Sequence, residues 1–69
     1  MRYSVNYKGA LSIDDSEGYN TFYTDSFERA MNLLRDIIYY KIDMNAYLKD
    51  EEYQCSLYWD EKEKEFYWN

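Results

Sequence analysis

Few side chains in this sequence are of the types that usually carry out catalysis. The 69 residues include no histidine, the side chain that most often serves as a general base near neutral pH. The two glycines form no glycine-rich loop ahead of a helix, and no serine lies in a nucleophile elbow. Cys55 has no base or cation nearby in sequence that would activate its thiol. We therefore expect a protein that is not an enzyme and has no cofactor.

Carboxylates are the next candidates for chemistry, because they are the ligands that hard cations prefer. Asp14, Asp15 and Glu17 form a short acidic cluster. Their spacing differs from that of an EF-hand loop, and no glycine lies inside the cluster at the sharp turn. A solvated turn is the simpler interpretation, so we predict no metal site and place a carboxylate metal-binding protein third among the functional alternatives.

The remaining acids are concentrated towards the end of the chain. Residues 43–69 carry eight acids and three lysines, whereas residues 1–24 sum to −1 and residues 25–42 are neutral. Asp50-Glu51-Glu52 is predicted to be a charged connector. The run Asp60–Glu65 is predicted to be a solvated hairpin loop whose charges oppose aggregation of the flanking strands. A net charge of −6 on so small a protein repels nucleic acid and anionic membranes and attracts basic surfaces.

Ten tyrosines are the other unusual feature of the composition. Tyr58 and Tyr67 have the parity opposite to the core positions of their strands, so a hairpin would place them together on the outer face of the sheet. Tyrosine is frequent at binding hot spots, although exposed tyrosines also simply favour strand structure. An aromatic surface beside carboxylates suits a basic protein partner better than nucleic acid. The candidate partner-binding residues are Asp14, Asp15, Glu17, Asp50, Glu51, Glu52, Tyr58, Asp60, Glu61, Glu63, Glu65 and Tyr67.

One helix must position these residues. Asp25 is predicted to cap it, with Glu28 completing a capping box, and the helix is predicted to run to Tyr40. Apolar residues recur along one helical face and predict a stripe facing the core: Phe27, Ala30, Met31, Leu33, Leu34, Ile37 and Ile38.

Strands surround this helix. Alternation from Arg2 to Ile13 favours one long strand bent at Gly9 over a tight turn at Lys8-Gly9, and residues 14–18 form a turn. Residues 19–24 form a return strand, and residues 41–48 are predicted to break near Asp43 and to continue as a helical turn. Residues 49–52 form the connector. Two further strands are predicted at 53–59 and 65–69, with Trp59, Phe66 and Trp68 facing the core.

These elements predict one α+β domain over residues 1–69, an antiparallel sheet in the order ββ-α-ββ with the amphipathic helix packed on one face. No apolar run approaches the length of a membrane span, and the N-terminal residues lack the apolar core of a signal peptide. Cys55 is the only cysteine, so no internal disulfide is possible. We expect a soluble cytoplasmic protein.

In length, acidity, aromatic content and its plan of one helix on a sheet, the chain resembles the small acidic proteins that phages encode against host defence, including anti-CRISPR proteins. This resemblance implies a partner such as a CRISPR effector, blocked in the host cytoplasm where it holds guide or target nucleic acid, by occlusion or DNA mimicry. The structural alternative is a homodimeric accessory domain that uses exposed aromatics and edge strands, either Met1–Tyr7 or Phe66–Asn69.

Overall fold

The computed structural model describes residues 1–11 and 13–69, which form a five-stranded antiparallel sheet with one helix packed on one face. The strands are β1 (Tyr3–Lys8), β2 (Tyr19–Thr24), β3 (Tyr47–Asp50), β4 (Cys55–Asp60) and β5 (Glu65–Trp68), and the helix is α1 (Phe27–Tyr39). The strand order across the sheet is β2-β1-β3-β4-β5, with every neighbouring pair antiparallel. The predicted α+β class is confirmed, with one more strand than predicted.

The core lies between α1 and the three central strands. Val5, Leu34, Ile37 and Leu48 are its largest fully buried side chains. Five members of the predicted helical stripe are buried, namely Ala30, Met31, Leu34, Ile37 and Ile38. Leu33 is only partly buried, and the prediction is wrong for Phe27, which is 42% exposed at the first turn of the helix. The opposite face of the sheet carries no covering element among the described residues, and we call it the open face.

The first strand is shorter than predicted, and the prediction of a single strand to Ile13 is wrong. β1 ends at Lys8, because Gly9 adopts a φ of +106° and turns the chain out of the sheet. Asp15 then accepts hydrogen bonds from the Tyr7 hydroxyl (2.7 Å) and the Leu11 amide (3.0 Å), which hold the following loop compact. Ile13 is 99% exposed, and residue 12 of the predicted strand lies outside the described residues.

The helix begins one residue later than the predicted cap. Ser26 is the N-cap, and its hydroxyl accepts a hydrogen bond from the Arg29 amide at 3.2 Å. The predicted capping box of Asp25 and Glu28 is wrong, because the Asp25 carboxylate instead accepts the backbone N–H of Arg2 at 2.8 Å. Asp25 therefore links the residue before β1 to the segment just before the helix N-terminus by a hydrogen bond.

The segment after the helix consists of turns and a bend up to residue 45, and the strand begins at Tyr47, so the predicted helical turn through Leu48 is wrong. Lys41 has a φ of +56° and the Ile42 amide donates to the Ile37 carbonyl at 2.9 Å, a Schellman motif that ends the helix. The chain then enters β3, which pairs with both β1 and β4. The predicted connector at 49–52 therefore begins inside a strand.

The C-terminal hairpin follows its prediction except at its start. β4 begins at Cys55, and Tyr53, the first residue of the predicted strand, lies in the preceding turn and is 70% exposed. β4 and β5 are joined by residues 61–64, with Lys64 at a φ of +57° and its amide donating to the Asp60 carbonyl at 2.7 Å. Trp59 and Phe66 pack against the core in an edge-to-face pair. Trp68 lies at the margin of that face, about half exposed and stacked on Phe27 at 6.3 Å between ring centroids.

Candidate functional site

Three tyrosines form a continuous row on the open face. Tyr47, Tyr58 and Tyr67 lie directly opposite one another on β3, β4 and β5. Their ring centroids are 5.5 Å and 5.8 Å apart, and their ring planes are inclined by 33° and 28°. We call these three residues the tyrosine row. The rings of Tyr58 and Tyr67 stack on each other, and Tyr67 is 45% exposed.

The predicted meeting of Tyr58 and Tyr67 on the outer face is confirmed, and Tyr47 was missed. The sequence predicts a helical turn at Tyr47, so alternation along a strand gives no indication of which face this residue occupies. The row continues across the sheet as polar residues, since Asn6 lies opposite Tyr47 and also opposite Thr21. The Thr21 hydroxyl donates to the Asn6 side-chain oxygen at 3.0 Å.

Carboxylates border the tyrosine row on the side of the β4–β5 loop. Asp60 and Glu65 are paired across the hairpin, two residues from Tyr58 and Tyr67 on the same face. One carboxylate oxygen of Asp60 already accepts hydrogen bonds from the backbone amides of Lys62 and Glu63, at 3.0 and 3.1 Å. Glu65 is exposed at the surface, and no ion pair is found for it within the described part of the chain.

Glu61 and Glu63 point to different parts of the hairpin surface. Glu61 accepts a hydrogen bond from the Trp59 indole at 2.7 Å and forms an ion pair with Lys64. The hydrogen bonds from Lys64 and Trp59 hold the pKa of Glu61 below its usual value. Glu61 also lines an apolar groove with Ile38 and Phe66 on the helix side of the sheet. Glu63 is exposed in the loop, so it can join Asp60 and Glu65 in contacting a partner.

The predicted acidic connector has a structural role instead. Asp50 is only 5% exposed and forms an ion pair with Arg2 at 3.1 Å. The hydrogen bond from Arg2 lowers the pKa of Asp50, and the amides of Glu52 and Tyr53 add smaller effects in the same direction. A buried, paired carboxylate is not available to a partner, so Asp50 does not belong to a docking surface.

The two acids that follow Asp50 also form ion pairs with residues of this chain. Glu52 forms an ion pair with Arg2 at 3.0 Å. Glu51 forms an ion pair with Lys49 at 3.5 Å and accepts the Ser4 hydroxyl at 3.3 Å. These residues lie at the end of the sheet opposite the β4–β5 loop.

The acidic turn after β1 lies at the same end of the sheet as the β4–β5 loop. The antiparallel strand order places the β1–β2 loop, the start of β3 and the β4–β5 loop together at one end, which we call the loop end. Asp14 and Glu17 are exposed there, whereas Asp15 is half-buried and bonded to Tyr7. With neighbouring strands about 4.8 Å apart, the two loops are separated by roughly 14 Å.

The loop end therefore holds most of the uncompensated charge. Eight acids and four lysines lie in its three connections and flanking strand ends, which accounts for −4 of the net −6. The acids at the other end are largely paired with Arg2 and Lys49. The sequence showed that the C-terminal third is acidic, but only the strand order shows that two separate acidic loops share one end.

Within residues 1–11 and 13–69, no three metal-ligating side chains lie close enough together to hold a metal ion. No helix in that part of the chain has the length and apolar character needed to cross a membrane. Cys55 is half-buried on β4, opposite Asp50. No family model, curated protein or solved structure matches this chain.

Proposed function

We propose that this protein is a small acidic inhibitor that binds a basic, nucleic-acid-binding surface of a target protein. The observation that carries the proposal is the tyrosine row on the open face, bordered by the carboxylates of the loop end. Tyrosines provide apolar contact area with little loss of conformational freedom, and carboxylates pair with arginine and lysine. Together they match a target surface in which cations lie beside apolar groups.

Direct binding of nucleic acid is the main rival for an aromatic sheet face, because exposed rings on a sheet can stack with bases. Stacking platforms for nucleic acid combine their rings with a positively charged groove. Here Lys49 is paired with Glu51, and Asp60 and Glu65 border the row on its other side. These carboxylates would repel phosphates, so the charge favours a protein partner.

The proposed mechanism is occlusion and involves no catalytic step. The tyrosine row supplies the contact that slows dissociation, and the carboxylates of Asp60, Glu63 and Glu65 accelerate association with the basic surface. Asp14 and Glu17 add a second acidic site roughly 14 Å away along the loop end, a distance obtained from the strand spacing. A phage protein acting on a CRISPR effector in the host cytoplasm is the biological setting that fits the resemblance described above.

Affinity capture from the native host, followed by kinetics on the captured target, tests this proposal. We expect Glu63→Lys with Glu65→Lys to reduce the association rate constant at least tenfold at low salt, and Tyr58→Ala to act mainly on dissociation. The matched control is Glu28→Lys with Asp36→Lys, which makes the same charge change on exposed positions of α1. The protein should also displace nucleic acid from its target.

Three outcomes would overturn the proposal. One is a captured partner that is neutral or acidic, and another is an association rate that does not change between low and high salt. The third is equal loss of association in the hairpin variant and the helix control, which would show that only total charge matters and that the open face has no specific role.

A further inference from the structure

The strand at one edge of the sheet has none of the features that usually protect an exposed edge. β2 (Tyr19–Thr24) pairs with β1 along one side only, so its other side presents unpaired backbone groups. Its sequence YNTFYT contains no charged residue, proline or glycine. Its six residues pair with β1 in continuous register, with no bulge. A strand of this kind is a template for pairing with another strand.

The opposite edge is protected in the usual ways. β5 has only four residues and begins with Glu65, directly after the charged loop 61–64. Short length and charge are two of the devices that prevent edge pairing. The contrast between the two edges is therefore specific to β2.

We propose that β2 is a homodimerisation strand, which pairs antiparallel with β2 of a second copy to form a continuous ten-stranded sheet. A two-fold axis perpendicular to the sheet relates the copies and makes the interface isologous. Both helices then lie on one side of the joined sheet, and both open faces on the other.

Side chains on both faces of β2 would gain contacts in this arrangement. Phe22 lies opposite Val5 on the helix side, yet it is 39% exposed because no strand lies beyond it. Tyr23 lies on the open face and is 59% exposed. In antiparallel pairs related by the axis, Phe22 and Tyr23 of each copy would contact β2 residues of the other copy on the same face. Partly exposed aromatic rings on both faces give the edge apolar area to bury.

The distribution of charge favours a second copy as the occupant. Each chain carries −6, which opposes self-association, but β2 itself is uncharged and the acidic residues 43–69 form or adjoin the strands beyond β1. Pairing through β2 therefore places the two acidic hairpins at the far ends of the joined sheet. Asp14 and Glu17 lie in the loop that precedes β2 and outside the paired residues. A six-residue interface is small, so we expect a dissociation constant on the order of tens of micromolar.

This inference does not depend on the proposed function. The tyrosine rows remain uncovered in the dimer, because Tyr47, Tyr58 and Tyr67 lie on strands beyond β1. The test below contains no target protein, so its failure and the failure of target binding can be told apart.

The test is sedimentation velocity of the full chain across concentrations from about 1 to about 500 µM, which brackets the expected constant. We expect the mass to rise from one chain of 8.6 kDa towards twice that value. Thr21→Lys places a charge at the centre of the pairing edge and should weaken dimerisation at least tenfold. Asn69→Lys makes the same charge change next to β5 and should leave dimerisation unchanged.

Hydrogen exchange of the wild-type chain gives a second measurement that does not rely on a variant being folded. Amides of β2 should become more protected as concentration rises, while those of β5 should not. The proposal is wrong if the chain stays monomeric throughout the range. It is equally wrong if Thr21→Lys, with a native circular dichroism spectrum, dimerises like the wild type, or if the protected amides lie in β5.

Discussion

Asp50 illustrates why an acidic run in a sequence is a poor guide to a binding surface. Three consecutive acids suggested a solvated connector, but the first is buried beneath Arg2, which is 48 positions away in sequence. Arg2 also binds Glu52 and lies 5.1 Å from the ring centroids of Tyr3 and Tyr53. One arginine near the N-terminus thus neutralises much of an acidic segment. No local pattern in the sequence reports a pair of this separation.

Tyr7 provides a prediction about pH at the residue scale. Burial raises its pKa from 10.0 to about 12, and its hydrogen bond to Asp15 adds to the effect by favouring the neutral phenol. Because the pKa is higher in the folded state, the contribution of Tyr7 to the free energy of unfolding is complete below pH 10. That contribution is lost as pH rises from 10 to about 12, since the unfolded state releases its proton first. The free energy of unfolding should therefore fall across that interval.

Urea unfolding at a series of pH values from about 8 to about 12 measures this dependence. Tyr7→Phe should be less stable near neutral pH, since the Asp15 carboxylate loses a donor, but should show a shallower decline at alkaline pH. Parallel declines in the two proteins would show that Tyr7 is not the group responsible.

At the scale of the elements, the helix start gives a direct contrast between two capping arrangements. Ser26→Ala should cost about 1 kcal/mol of the free energy of unfolding, because the Arg29 amide loses its acceptor. Glu28→Ala should cost only a few tenths of a kcal/mol, since Glu28 interacts mainly with the helix dipole. Chemical denaturation of both variants distinguishes capping by Ser26 from a capping box that involves Glu28. A larger loss for Glu28→Ala would favour the capping box that the sequence suggested.

The elements also show what could be predicted from the sequence and what could not. The helix was predictable because five buried residues repeat with helical spacing, and the β4–β5 hairpin because Leu57 and Trp59 alternate with polar or outward residues. β3 was not, because its inward positions are Leu48 and Asp50. The buried aspartate breaks the apolar alternation, and its partner Arg2 is distant in sequence.

The candidate site was predictable to a similar extent. Parity alone placed Tyr58 and Tyr67 on the outer face, whereas Tyr47 depended on recognising β3. The grouping of Asp14 and Glu17 with the hairpin acids depended on strand order, which local alternation does not determine. β1 was predicted as a possible edge, but it lies inside the sheet between β2 and β3, so the predicted edge at Met1–Tyr7 is wrong.

At the scale of the whole molecule, the fold is a thin layer with a single core. The chain extends 31 × 31 × 18 Å, which is one sheet with one helix on it. A protein of this length has a total free energy of unfolding of roughly 3–10 kcal/mol. Because the buried apolar side chains of the described residues form one core, a large loss of packing at its centre should destabilise the helix and the strands together.

Leu34→Ala tests this dependence. Leu34 is fully buried in α1, and its truncation should cost about 2–5 kcal/mol. We expect a large fall in Tm, with loss of helix and sheet signals in one transition. Asn32→Ala, at an exposed position of the same helix, should be close to neutral. Sheet signals that survive loss of the helix would show that the domain is not a single cooperative unit.

The unequal charge of the two ends of the sheet has a further physical consequence. The loop end is the more negative, and α1 runs from the opposite end towards it, so the helix macrodipole has its negative pole at the same end. The charges and the helix therefore add to give one electric dipole moment along the strands. In the field of a positively charged body the molecule experiences a torque that turns its loop end forward, so it is oriented before any atoms touch.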